Sequence, residues 1–349
     1  MGLPQIIINF RTAGSSAVRR SARGQAVLLA EGEKAELYSF SEAEQAESAG
    51  LAEDCRRLLR LCFLGGPAKV LLYRYPKGEE TAALARCAPA AEGGWLCAPQ
   101  MDAQTVTAFV KSKRAEGRPL RAVVSSETGP DCAGIVNLTT QDITVLLEGK
   151  TESVDTADYC ARIAGILAGL SLRESATYYS LPEVTGFVSS QDEEADIAAG
   201  RLILDQGSEG ARIARAVTSL TTLSQPGDSA FQKIKIAEGV DLIRADIRSV
   251  FESEYVGKVL NDYDSKLLLV TAINSYFAGL EGSVLDTGRR NTAAVDFEAQ
   301  KHWLEGRGVD TAALSDTAIL SANTGSQVFL RANLRFADAM EDLTFEISM

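Results

Sequence analysis

The chain has 349 residues and a mass of 37.3 kDa, long enough for two domains with separate cores. Its 46% hydrophobic and 23% charged content is ordinary for a globular protein. A net charge of −12 and a pI near 4.8 argue against general nucleic-acid binding, which needs a basic surface to neutralise phosphates. No apolar run reaches the length of a membrane span; residues 163–172 are the longest candidate and are bracketed by Arg162 and Arg173.

In chain order, Pro4-Gln5-Ile6-Ile7-Ile8-Asn9-Phe10-Arg11 is a β-branched apolar run, followed by small polar residues and the basic cluster Arg19-Arg20-Ser21-Ala22-Arg23. The run is short and precedes the arginines, the reverse of a secretory leader. Residues 1–22 therefore read as an extended arm with Ile6, Ile8 and Phe10 on one face. Such an arm reaches on the order of 70 Å, against a radius of gyration of about 20 Å for a compact chain of this length, so docking on another subunit is within reach.

From residue 25 the pattern settles into alternating units. Strands are predicted at 26–30, 69–75, 95–97 and 121–125, with helices at 43–64, 79–87 and 102–116 between them. Helical crossovers imply a largely parallel sheet covered on both faces, so residues 23–180 read as an α/β domain. Short strands at 134–138 and 143–147 and an Ala- and Gly-rich helix at 156–170 complete it.

Near Ser180-Leu181-Pro182 the character changes, and residues 181–326 read as an α+β domain. Strands are expected at 186–190, 202–205 and 211–218, the last two joined as a hairpin through Gln206-Gly207-Ser208-Glu209-Gly210. Residues 233–236 are expected to pair locally. The helix at 238–259 carries Val240, Ile243, Ile247, Val250 and Phe251 on one stripe, with Asp241, Arg244 and Arg248 outside it. A helix at 265–280 follows a capping segment at 261–264, then a strand at 291–296, a helix at 297–305 and a strand at 317–320.

Residues 327–349 are a second arm. Over 327–336, Val328, Leu330, Leu334 and Phe336 share one face; after a break, Leu343, Phe345, Ile347 and Met349 alternate with Thr344, Glu346 and Ser348. That is period two, and a strand of seven residues spans roughly 24 Å of backbone that needs a partner. The partner is either the chain's own sheet or a neighbour's.

Assembled chemistry is not evident. The single histidine, His302, has no nucleophile or carboxylate nominated beside it, and the six cysteines show no metal-type spacing and read as buried and reduced. The acidic run at 191–196 reads as a helix start, with an oxygen-ligand cation site as the alternative. Gly65-Gly66-Pro67-Ala68-Lys69 precedes a strand instead of joining strand to helix, so it is no phosphate cradle, and Gly207-Ser208-Glu209-Gly210 lacks the context of a nucleophile elbow. No catalytic, cofactor or metal site is expected.

Several stretches resemble the sheath proteins of contractile phage tails and related contractile bacteriocins, especially the Gram-positive prophage type. They are residues 2–10 and 15–24, Ala211-Arg212-Ile213-Ala214-Arg215-Ala216-Val217-Thr218-Ser219-Leu220-Thr221-Thr222, and residues 233–247 and 254–266. The resemblance covers both termini and most of 180–349, and is mainly architectural over 25–180. It implies a two-domain subunit, α/β plus α+β, whose terminal β arms exchange between subunits. It further implies a helical homopolymer of hexameric rings around an inner tube protein, joined to baseplate and tail-terminator proteins. The polymer would assemble in the host cytoplasm for a virion tail or a released bacteriocin particle, and contract to drive the tube through an envelope without nucleotide, nucleic acid or membrane insertion. Residues 181–326 would face the tube, with Asp241, Arg244 and Arg248 the candidate contacts. The alternative is a soluble α/β enzyme whose terminal strands close its own sheet.

Overall fold

A computed structural model describes residues 24–225 and 227–347. The N-terminal arm residues Ile6, Ile8 and Phe10, and Met349 of the second arm, lie outside the described residues. In chain order come β1 (Gln25–Glu31), β2 (Glu36–Phe40), α1 (Ala43–Ser48), α2 (Glu53–Phe63), β3 (Lys69–Tyr75), α3 (Glu80–Ala91), β4 (Trp95–Cys97), α4 (Ala103–Ala115) and β5 (Ala122–Val124). There follow β6 (Ile135–Leu138), β7 (Gln141–Leu147), β8 (Lys150–Val154), α5 (Thr156–Gly169), β9 (Val184–Val188), α6 (Glu193–Ala198), β10 (Arg201–Leu202), β11 (Leu204–Gly207) and β12 (Gly210–Ile213). The remainder is α7 (Ile234–Val250), α8 (Tyr263–Leu280), β13 (Thr292–Val295), α9 (Phe297–Glu305), α10 (Asp316–Ser321) and β14 (Leu330–Asn333).

The main sheet has seven strands in the order β10-β6-β5-β4-β1-β3-β2, parallel throughout except for the antiparallel edge strand β2. Its central strands β1, β3, β4, β5 and β6 are largely buried on both faces, which explains their nearly continuous apolar sequences. Period two divides the side chains between two cores. Ala26, Leu28, Val70, Leu72, Trp95, Cys97 and Val136 pack with α2 and α5, whereas Val27, Leu29, Leu71, Tyr75, Leu96 and Ile135 pack with α3 and α4.

Helix α5 is buried almost all round. Its small residues let α2 come so close that a Cβ on Gly165 would overlap the Cys62 carbonyl, and one on Gly169 the Gly65 carbonyl. Gly65-Gly66-Pro67 is therefore a packing element at the end of α2. Arg162 of the same helix is buried, donating from Nε to Glu183 Oε1 at 2.5 Å, and Tyr159 Oη donates to that oxygen at 2.9 Å.

The chain divides into two compact units, one containing residues 24–245 and 338–347, the other 246–337. The division thus falls within α7 and not near Ser180-Leu181-Pro182. The reason is packing: β10 pairs with β6, and Leu181, Leu202, Leu204, Ile213, Ala216 and Ile234 all enter the core that α5 shares with the main sheet. Apolar residues that resemble a second domain's core complete the first.

Local differences have local causes. The helix expected over 43–64 is broken into α1 and α2, with Gly50 at φ +66° between them. The helix expected at 238–259 starts earlier, at Ile234, and gives way after Val250 to a π turn at Phe251–Tyr255. Residues 317–320 are helical, in α10, where the Ser315 side chain accepts from Ala318 N. A short apolar run does not distinguish strand from helix, and here the cap decides. The β11–β12 hairpin and the cap of α8, where Asp262 accepts from Ser265 N, match the sequence pattern.

In the 246–337 unit, β13 and β14 pair antiparallel, with Thr292 opposite Asn333 and Val295 opposite Leu330. Lys266 Nζ, buried, reaches Gln300 Oε1, Ala322 O and Thr324 Oγ1 at 3.1–3.2 Å, tying α8 to α9 and to the segment after α10.

Candidate assembly interface

Among the described residues, 343–347 belong to no strand, and their apolar side chains are exposed: Leu343 by 89%, Phe345 by 77% and Ile347 by 72%. Alternation with no covering surface is unusual, because single exposed apolar residues are common but a stripe of them marks a contact. The stripe begins abruptly. Two residues before it, the Glu341 side chain is only 7% exposed.

Glu341 Oε1 accepts hydrogen bonds from Ser175 Oγ at 2.8 Å and Thr177 Oγ1 at 2.7 Å. Its other oxygen lies 3.4 Å from Arg215 Nη2 and from Lys233 Nζ. Arg215 also pairs with Asp342, and Lys233 with Asp338, each at 2.5 Å. Sequence reasoning did not find this cluster. Its only local signal is three acids at 338, 341 and 342, and their partners lie more than a hundred residues away in sequence.

The residues expected to form a receiving sheet are partly assembled. Leu330 lies in β14, Phe336 bridges Leu285, and Val328, Leu330, Leu334 and Phe336 are all half-buried. The expected strand over 327–336 is shorter, because only Leu330–Asn333 pairs continuously with β13. Among the described residues no third strand joins this pair. Two strands alone are marginal and leave edges open to addition. Val328 lines an apolar hollow of about 460 Å³ together with Phe251, Tyr255, Val259 and Leu269.

The expected tube-facing trio is corrected at one position. Asp241 is buried, and its carboxylate is held bidentately by Arg114 at 2.7 and 3.0 Å, so it presents no outward charge. The reason is that the first half of α7 is buried: Ile234 enters the core of the 24–245 unit, and Ala237, Leu242 and Ile243 are buried around Asp241. Arg244 is exposed, and Arg248, half-buried, pairs with Glu252 at 2.7 Å.

His302 is exposed in the last turn of α9. Its neighbour Trp303 packs against Phe329 and under Arg307. All six cysteines are free and buried, and burial pushes the Cys62 thiol up to about 12 and the Cys87 thiol to about 11, far from thiolate chemistry. Asp192 caps α6, accepting from Ala195 N, so the acidic run is a helix start. Among the described residues no group of three or more His, Cys, Asp or Glu side chains is placed to hold a metal, and no helix is long and apolar enough to cross a membrane.

Comparison with known proteins bears on this arrangement. Residues 227–349 match the phage tail sheath C-terminal domain family. A tail sheath protein of Clostridium phage phiCD119 is 29% identical over 362 aligned residues, covering 100% of this chain and 99% of that protein. Among solved structures, a sheath tail protein from Desulfitobacterium hafniense superposes with a TM-score of 0.67 at 15% identity, covering 85% of this chain and 92% of the other. The anti-feeding prophage helical sheath in its contracted state gives 0.66 at 13% identity, covering 94% and 93%. The chain is thus similar to a phage tail sheath protein along its whole length, shares the fold of solved sheath proteins, and matches the sheath C-terminal domain family over its last third.

Proposed function

We propose that this chain is the structural subunit of a contractile tail sheath and that it polymerises by strand exchange. In this reading residues 343–349 leave their own subunit and add to the β13–β14 pair of a neighbour, with Leu343, Phe345 and Ile347 covered there. The observation that carries it is the uncovered apolar alternation at 343–347, taken together with a two-stranded sheet in the 246–337 unit that lacks further strands among the described residues. The enzyme alternative requires the tail to close its own sheet, and among the described residues 343–347 pair with none.

Magnitudes suit a cooperative polymer. Covering three large apolar side chains contributes about 5–9 kcal/mol. Fixing five residues of backbone costs about 5–10 kcal/mol. The difference is near zero, so backbone hydrogen bonds of about 1 kcal/mol each decide whether one arm docks. A single arm is weakly held, and repetition around a helical lattice makes the mesh firm.

The finer expectations follow from the same reading. The 1–22 arm, with Ile6, Ile8 and Phe10, serves as a second exchanged strand. Rings of six stack around an inner tube, and Arg244 and Arg248 remain the candidate tube contacts. The sheath joins a baseplate at one end and a terminator at the other, is assembled in the host cytoplasm and acts in a phage tail or released particle. Contraction draws on the difference between extended and contracted interfaces, summed over subunits that move largely as rigid bodies, with no nucleotide.

Phe345→Asp tests the arm. Burying an unpaired carboxylate in the receiving core costs several kcal/mol, so this variant should stay folded, with unchanged circular dichroism, and form no tubes by negative-stain electron microscopy. Tubes indistinguishable from those of the unaltered chain would overturn the assignment of that face.

A further inference from the structure

We propose that Ser175, Thr177, Arg215 and Lys233 are positioning residues for the C-terminal arm: they clamp Asp338, Glu341 and Asp342, fix where the arm leaves its own subunit, and free only the residues beyond 342 for exchange. The purpose of the clamp rests on the strand-exchange reading above; its existence rests on geometry within one unit.

Three features separate it from ordinary surface ion pairs, which contribute little. The Glu341 side chain is largely covered, and one of its oxygens takes two hydroxyl donors while the other faces two cations. The donors are themselves held: Thr177 Oγ1 accepts from Ala216 N at 3.0 Å, and Ser175 Oγ accepts from Thr177 N at 3.2 Å. Each cation is also shared, Arg215 between Glu341 and Asp342, Lys233 between Glu341 and Asp338. Seven side chains thus form one connected network around a short stretch of backbone.

The stretch is otherwise poorly held. Met340, within it, is fully exposed, and every large apolar residue after it that is described is exposed too. Burial of apolar surface therefore does not dock the root of the arm; charge and hydrogen bonding do. A fixed root confines the arm's search and raises its effective concentration at the neighbouring sheet, lowering the ordering cost of exchange. The same root must bear load when subunits shift during contraction, and a polar clamp of many contacts resists peeling better than one contact.

The test uses the full-length chain, with Glu341→Gln as one variant and Ser175→Ala combined with Thr177→Ala as another, beside a 343–349 deletion. Limited proteolysis of the unassembled protein, with the cuts mapped by mass spectrometry, reads the clamp directly, because the clamp holds the segment through side chains. Cleavage within 338–342 should speed up by roughly tenfold or more in both variants, while the core of the 24–245 unit stays resistant and keeps its thermal midpoint. The protein concentration needed for tubes should rise by a comparable factor. If Glu341→Gln loosens the whole unit, the hydroxyl variant carries the test. Unchanged cleavage within 338–342, or faster cleavage with an unchanged assembly threshold, would overturn the positioning role. Tubes from the deletion would instead sink the strand-exchange reading and leave the proteolysis result to speak for the clamp alone.

Discussion

Glu341 shows how a single residue can separate an anchored segment from a free one. Burial pushes its carboxyl up, but hydrogen bonds from Thr177 and Ser175 and the charge of Lys233 outweigh that and hold it below its ordinary 4.5. Lys233 is balanced in the same way: burial lowers it, and Asp338 and Glu341 raise it above its ordinary 10.5. A lowered carboxyl contributes stability that is present above 4.5 and lost as pH falls through its folded value. A raised lysine contributes stability that is present below 10.5 and lost as pH rises through its own. Resistance of 338–342 to a nonspecific protease, normalised to an unstructured peptide, should therefore be flat between those limits and fall only outside them; a loss at mildly acidic pH would contradict the pairing. The alternating face of Leu343, Phe345 and Ile347 was legible in sequence because period two is local. The clamp was not, since Ser175, Thr177, Arg215 and Lys233 meet the acids only through the fold.

At the scale of elements, the seam between α2 and α5 is the tightest constraint. Gly165 leaves no room for a Cβ against the Cys62 carbonyl, so Gly165→Ala must push the helices apart or strain them. The expected cost is about 1–3 kcal/mol of unfolding free energy in denaturant titration, the range for overpacking a core; an unchanged midpoint would refute the close approach. The Ala- and Gly-rich composition of 156–170 announced a closely packing helix, and the central strands were legible because burial on both faces leaves an unbroken apolar run. Edge elements were not. In β2 and β8 polar residues such as Glu36, Ser39, Lys150 and Glu152 break the pattern, because an edge strand buries little on its outer side. Residues 317–320 failed for a different reason: four apolar-rich residues carry no period, and only the Ser315 cap marks them as helix.

For the whole molecule, the order of strands and helices predicted the parallel sheet, but composition could not say which sheet the residues after 180 would complete. That depends on the long-range pairing of β10 with β6. Asp241 was misread for the same reason, since its partner Arg114 lies on α4. The proposed exchange acts between copies, the tail after 342 of one completing the sheet of the next. A cryo-EM map of assembled tubes at side-chain resolution tests it most directly. Density should run from residue 342 of one subunit onto the open edge of the β13–β14 pair of another, with Leu343, Phe345 and Ile347 covered. Tails folded back on their own subunits, in tubes that nonetheless hold together, would contradict it.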